Sequence, residues 1–391
     1  MRPLVLTATT IVSAIGRGSA ATLDALRSRR SGLVPCDFGD VQDGYVGRVT
    51  DVETHTLPRA LAPFDCRNNR LADMALRTDG FADAVAAARS RYGPGRIAVI
   101  LGTSTSGVLS AEEAYRARDT ATGELPPSFD YTHTHDMFSL AHFVRSALEL
   151  RGPAMVISTA CASSAQTFID ACHLIESGEC DAAIVGGADS LCGMTLCGFA
   201  SLDLISSVPC RPCDADREGI SIGEAAAFAL LEQTGEGIAL LGYGTSCDGY
   251  HMSAPHPQAS GAIAAMQATL ASSGLQAADI DYVNLHGTGT RANDAMEDQA
   301  VAAVLGCATA CSSTKGWTGH TLGASGILEI VIGELCIRNG ILPGCLNVTK
   351  LDPSFHSRVI LHNEERLVRT VMNNAFGFGG INCSLVFGAI R

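Results

Sequence analysis

The chain has 391 residues, 47% hydrophobic and 17% charged, with 27 Lys and Arg against 40 Asp and Glu for a formal charge of −13. That length suits two moderate domains or one large duplicated one, and the apolar content supports a buried core and excludes a disordered chain. The acidity argues against nucleic acid and anionic membranes as partners, and no run of about 18 apolar residues offers a membrane span.

Short β-rich runs alternate with helical ones. The opening Met1-Arg-Pro-Leu-Val-Leu-Thr-Ala-Thr-Thr reads as a first strand rather than a signal peptide. In chain order, strands are predicted at Leu4–Thr7, Arg96–Leu101, Ala154–Ser158, Ala182–Val185, Ala226–Leu231, Ile238–Tyr243, Tyr282–Leu285, Val359–Leu361, Thr370–Asn373 and Ser384–Phe387. Helices are predicted at Ala20–Arg27, Arg67–Arg89, Met137–Leu150, Ala162–Ser177, Gly261–Ser273, Asn293–Leu305 and Ala324–Arg338. Such alternation predicts α/β layers with parallel strands. Gly102–Pro127 reads as a long site-lining loop with a short helix. Each half shows a strand, a reactive residue past its end and a helix, with Cys161 and His286 as the two reactive residues, which suggests a duplication. The two halves are expected at 1–245 and 246–391. The 15 cysteines are odd in number and scattered through apolar segments. They read as small core residues of a cytosolic protein, not as a disulfide scaffold.

Four motifs carry chemistry. In Ala154-Met-Val-Ile-Ser-Thr-Ala-Cys161-Ala-Ser-Ser, an apolar strand runs into a helix with Cys161 at the turn. A helix N-terminus favours thiolate, and its free N–H groups suit an oxyanion. The competing reading is one more buried thiol. In Asn284-Leu-His286-Gly-Thr-Gly-Thr, a histidine follows a strand, and Thr288 and Thr290 offer hydroxyls to a polar linker; a histidine in a polar turn is the bland alternative. In Lys315-Gly-Trp-Thr-Gly-His320, a loop feeds an apolar helix, whose N-terminus favours neutral imidazole. Glu329, fourteen residues past Lys315 inside that helix, needs a buried partner, and Lys315 is the natural one. In Asn373-Asn-Ala-Phe376-Gly-Phe378-Gly-Gly, two rings flank glycines as a gate or as core aromatics, and the Phe378 N–H is a second oxyanion donor.

A thiolate, two neutral imidazoles and an oxyanion hole fit carbon–carbon bond formation between thioesters, with no metal or redox cofactor. Together the motifs resemble those of elongating β-ketoacyl-[acyl-carrier-protein] synthases across the whole chain, including Arg211-Pro-Cys-Asp-Ala-Asp-Arg-Glu-Gly-Ile-Ser-Ile-Gly-Glu-Ala-Ala226. Cys213, Ala225 and Glu218 depart from that family's usual pattern there. The resemblance implies a thiolase-like five-layered α/β/α/β/α fold of two similar halves and a dimer. It implies catalytic Cys161, His286 and His320, support from Lys315 and Glu329, a gate at Phe378 with Phe376, and contacts from Thr288 and Thr290 to the phosphopantetheine arm of an acyl carrier protein. A second histidine, where starter-type members carry asparagine, implies elongation. The loop Gly102-Thr103-Ser104-Thr105-Ser-Gly107-Val108 is expected beside the acyl pocket. Its polarity and the short chain look similar to aryl-polyene ketosynthases, which implies an unusual, polyketide-like acyl chain.

The acidic carrier protein needs a basic patch, and Arg67, Arg70 and Arg211 are the candidates, with Asp65 as helix N-cap. The alternatives are a non-decarboxylating thiolase-like acyltransferase and a non-catalytic chain-length factor, which typically lacks the cysteine. The chain could also be the active half of a heterodimer with such a factor. A metal site at Cys210 and Cys213 has only one Cys-x-x-Cys pair and is weak.

Overall fold

The computed structural model describes residues 2–39 and 43–390. Ten of the twelve strands in the main sheet form two five-stranded units, and the two-residue strands Gly16–Arg17 and Arg358–Val359 add to them. The first holds β1 (Leu4–Ser13), β2 (Ile97–Gly102), β3 (Ala154–Ile157), β4 (Ala182–Asp189) and β5 (Ala225–Glu232). The second holds β6 (Ile238–Cys247), β7 (Tyr282–Asn284), β8 (Ala310–Ser312), β9 (Thr370–Gly377) and β10 (Ile381–Ala389).

The spatial order is β3-β2-β4-β5-β1 in the first unit and β8-β7-β9-β10-β6 in the second. Within each unit the second strand pairs parallel with the third and the fourth. The fifth strand pairs antiparallel with the fourth and the first. An identical order with identical directions is the duplication that the sequence suggested. The units join where Leu4–Leu6 of β1 pairs antiparallel with Ile238–Leu240 of β6. This repeat divides the chain between β5 and β6, whereas the expected boundary at 245 falls inside β6. It also re-pairs the motifs: the counterpart of β3, which leads to Cys161, is β8, which leads to Lys315 and His320. The strand before His286 is β7, the counterpart of β2.

Three apolar clusters define the layers. Two helices lie between the units: α1 (Ser163–Glu176) and α2 (Ser325–Asn339). Their cluster joins Phe168 and Ile169 of α1 to Ile327 and Val331 of α2, and both to strands of each unit. In α2 every residue from Ser325 to Cys336 is buried, as expected for a helix that is apolar all round. Gly326 allows the two helices to meet, since a Cβ there would stand 2.7 Å from the Ala165 nitrogen. Phe168 also sets its ring edge-on to Phe387 of β10 at 5.5 Å, worth about 0.5–1.5 kcal/mol beyond burial. A second cluster packs the other face of the first unit against helices Arg67–Leu76, Phe81–Tyr92 and Ser139–Ala147. A third packs the other face of the second unit against Ser260–Ser273 and Arg291–Leu305. The result is α/β/α/β/α.

The predicted helix Arg67–Arg89 is broken. Asp79 and Gly80 adopt left-handed φ of 55° and 71°, and the Asp79 carboxylate accepts the Ser19 N–H. Asp65 does not cap the first piece: Cys66 holds the N-cap position without a side-chain bond, and Asp65 pairs with Arg70. Among the described residues no helix is long and apolar enough to cross a membrane.

Candidate active site

Cys161 sits in the turn Ala160–Ala162 between β3 and α1, and Ala160 before it takes a left-handed φ of 50°. The sulfur is buried. His320 Nε2 lies 3.0 Å from Cys161 Sγ. The Phe378 N–H also reaches the sulfur. Burial pushes the thiol up to about 11, against the opposing pull of the Lys315 charge and the Phe378 N–H. Burial thus acts against the thiolate that a helix N-terminus favours.

The Leu322 N–H and the Lys315 ammonium set the tautomers, and the Ser325 hydroxyl, 3.2 Å from His320 Nδ1, can donate there too. Leu322 N–H donates to His320 Nδ1 at 3.2 Å. A backbone N–H cannot accept, so neutral His320 carries its proton on Nε2 and aims it at the sulfur. His286 stands edge-on to His320, centroids 5.3 Å apart. The Lys315 ammonium lies 3.5 Å from His286 Nδ1, which likewise leaves the proton on Nε2. Burial first, then the Lys315 charge, holds both imidazoles well below the ordinary histidine range. Both are thus neutral donors.

Lys315 bridges to Glu329 Oε1 at 2.5 Å, with both side chains buried. Burial raises the Glu329 carboxyl to about 7, against the pull of Lys315. The strand–helix design behind this is plain: β8 ends at Ser312, a short turn presents Lys315 and His320, and α2 returns Glu329 one strand layer below.

Cys161, His286 and His320 hold their ligand atoms within 4.8 Å of one another, a spacing that could suit a metal ion. Their surroundings are those of a donor pair. A histidine that ligates through one nitrogen donates from the other to an acceptor, and here both outer nitrogens face donors.

A cavity of about 420 Å³ opens onto the trio. Thr288, Thr290, Phe376 and Phe378 line it as expected, and the Thr288 and Thr290 hydroxyls bond each other at 2.9 Å. The Phe378 ring leans on Phe199 at 5.5 Å across the cavity. β9 carries Phe376 to the thiol because Gly377 has no side chain: a Cβ there would lie 2.7 Å from the Thr159 carbonyl oxygen.

Other expected residues stand apart from this cavity. Thr103, Ser104, Thr105, Gly107 and Val108 do not line this cavity. The Thr103 and Thr105 hydroxyls and the Ser104 and Thr105 N–H groups all donate to Asp189 at the end of β4. Ser104 Oγ donates to the Ala160 carbonyl, and Gly107 packs against the Thr134 carbonyl. Val108, nearly buried, starts the helix Val108–Arg116. The three arginines of the expected patch meet partners within the chain. Arg67 is buried, with its fork on Glu224 at 2.7 and 2.9 Å and a third bond to Glu53. Arg70 clamps Asp65 and the Glu53 carbonyl. Arg211 donates to the Asp216 carbonyl and faces Glu218 at 3.7 Å. Internal carboxylates have taken the charges meant for a partner.

Three positioning residues were missed. Glu297 accepts the His286 N–H at 2.8 Å and the Gly287 N–H at 2.7 Å. Burial raises its carboxyl to about 7, against those bonds. Asp294 accepts the Gly289 N–H at 3.1 Å. Asp189 accepts the Gly323 N–H at 2.6 Å and so ties the first unit to the His320 loop. Their signal was an acid on the apolar face of a helix or at the end of an apolar strand.

Comparison with known proteins agrees with this geometry. Residues 2–236 match the family "Beta-ketoacyl synthase, N-terminal domain" and 238–349 match "Beta-ketoacyl synthase, C-terminal domain". The chain is 32% identical to 3-oxoacyl-[acyl-carrier-protein] synthase 2 of Rhizobium meliloti (strain 1021), over 99% of this chain and 98% of that one. Its fold superposes on the ketosynthase ApeO, solved in complex with its chain length factor ApeC from Xenorhabdus doucetiae, with a TM-score of 0.92, 36% identity and coverage of 100% and 98%. The ishigamide ketosynthase/chain length factor follows with a TM-score of 0.90, 27% identity and full coverage of both chains. With both halves matched in order and the thiol and two histidines gathered at one cavity, the chain belongs to the beta-ketoacyl synthase family.

Proposed function

We propose that this chain is a 3-oxoacyl-[acyl-carrier-protein] synthase that condenses an acyl group with malonyl carrier protein by decarboxylation. One observation carries the reading: two neutral imidazoles present Nε2–H donors beside a buried thiol at the base of one cavity. In the first step the Cys161 sulfur adds to an acyl thioester carbonyl, and the N–H groups of Cys161 and Phe378 hold the oxyanion. The carbonyl re-forms, the arm thiol leaves, and the thiol proton departs with it. In the second step a malonyl thioester loses carbon dioxide. The C–C bonding pair moves into an enolate, whose oxygen accepts from His286 and His320. The enolate carbon then bonds the acyl carbon, Cys161 leaves as thiolate, and a proton from solvent restores the thiol. Lys315 and Glu329 hold His286 in its donor tautomer. The chemistry draws on the phosphopantetheine arm as substrate carrier and on no further group.

The proposed partners are an acyl carrier protein and a second, ketosynthase-like subunit, either a copy of this chain or a chain-length factor. The likeness to ApeO in complex with ApeC supports the factor and a polyketide-like, aryl-polyene type of acyl chain. The half-exposed edge strand β3, with Met155, Val156 and Ile157, supports pairing of some kind, since an open apolar edge otherwise invites association. The cytoplasm is the proposed compartment; all cysteines but Cys197, Cys247 and Cys307 are buried in the core.

The test incubates the protein with acyl- and malonyl-carrier substrates. An acyl adduct on Cys161 by intact mass, together with carbon dioxide release, is expected. Acylation without carbon dioxide release would leave the non-decarboxylating acyltransferase reading instead. Elongation of plain saturated chains alone would refute the polyketide-like assignment.

A further inference from the structure

Arg67, Arg70 and Arg211 are engaged within the chain, so an anionic arm must find its cation elsewhere. The cavity wall points to it. From His286 the chain climbs outward: His286 is 2% exposed and Thr288 7%, Thr290 is half-buried, and Arg291 is exposed at the rim. Four groups along this short run therefore stand in the order in which a phosphopantetheine arm carries its thioester, its amides and its phosphate.

The backbone that presents Arg291 is fixed. The buried Arg217 donates to the Thr290 carbonyl at 3.4 Å and to the Arg291 carbonyl at 3.2 Å, and is itself held by Asp352 at 2.6 Å. The Arg291 guanidinium has no ion pair among the described residues. The other charged side chains that line the cavity are Asp203, Glu218 and Asp248. Asp248 receives the His256 N–H and Asn382, and Glu218 receives Ser207 and faces Arg211. A phosphodiester set against any of these carboxylates meets like charge. Against Arg291 it meets a planar fork suited to two of its oxygens.

We propose that Arg291 is the positioning residue that grips the phosphodiester of the carrier's arm at the cavity mouth, a role that rests on the condensing reading above. The contact lies far from the reacting carbons and is the same before and after bond formation. It therefore lowers KM without changing kcat.

The experiment compares malonyl-phosphopantetheine with malonyl-pantetheine, which lacks the phosphate, in carbon dioxide release and condensation. For Arg291→Ala, KM for the phosphorylated substrate should rise roughly tenfold, equivalent to about 1.4 kcal/mol. Its KM for the unphosphorylated substrate and both kcat values should hold. Arg291→Lys should recover part of the preference. The wild-type preference should shrink at high salt, and that of Arg291→Ala should not change with salt. Equal KM changes for the two substrates, or none for either, would overturn the assignment while unchanged carbon dioxide release keeps the condensing reading. Absence of release from both substrates with the wild-type chain would overturn both.

Discussion

The two five-stranded units share one strand order, yet the loops after their equivalent strands do different work. After the second strand, the first unit folds Thr103, Ser104 and Thr105 onto Asp189. At the same place the second unit puts His286, whose backbone rests on Glu297. After the third strand, one unit places a nucleophile before α1, and the other places Lys315 and His320 before α2. The backbone repeats while the chemistry is divided: one unit holds the acyl group, and the other holds every side-chain donor to the enolate. The proposed oxyanion hole is shared, through the N–H groups of Cys161 and Phe378.

This division can be broken experimentally. Replacing the nucleophile, Cys161→Ala, should abolish acyl-enzyme and condensation, on the order of 10³-fold or more. Carbon dioxide release from malonyl carrier should persist, since its donors belong to the other unit. Parallel loss of both activities, by product analysis and gas release, would mean that the units do not act separately. His286→Ala or His320→Ala should give the mirror image: carbon dioxide release falls about 10²–10³-fold, while intact mass still shows an acyl group on Cys161.

Lys315→Met tests the support beneath the donors. It strands Glu329 as a buried, unpaired acid, at a cost of about 3–5 kcal/mol read from denaturant unfolding. Adding Glu329→Gln should recover part of that loss. Smaller effects appear with pH. Both imidazoles titrate well below the usual range, so carbon dioxide release should stay level from pH 8 to 6. An acid limb near 6.5 that persists in Glu329→Gln, which removes the carboxyl that titrates at about 7, would contradict neutral donors. Glu297 titrates at about 7, above its ordinary 4.5. The native state thus holds this proton more tightly than the unfolded chain. Its stabilising contribution is full below pH 4.5 and is lost as pH rises through 7. Glu297→Gln should flatten that decline in stability measured between pH 5 and 7.

The sequence made the central features legible because each depends on local pattern. The strand-to-helix turn at Cys161, the spacing from Lys315 to Glu329 and the glycines around Phe378 are all short-range facts. Features that depend on distant partners were not legible. Arg67 reads as a surface charge until Glu224, far along the chain, is folded over it. Thr103 and Thr105 read as site hydroxyls until Asp189 claims them. The burial that opposes ionisation of the thiol was hidden for the same reason: a helix end is visible in sequence, but the depth of burial is not. The break at Asp79 and Gly80 was local and readable, since an Asp-Gly pair marks a turn, but the helical pattern on either side was read through it.

The close approach at Gly377 has a wider consequence. The end of β9 in one unit meets the backbone of the turn that carries Cys161 in the other, so the fit between units is gauged where the reaction occurs. Before the halves dock, Cys161 has neither the Phe378 N–H nor the His320 ring beside it, so the cradle for charge is not yet built. Assembly of the fold and competence for catalysis thus arrive in a single event.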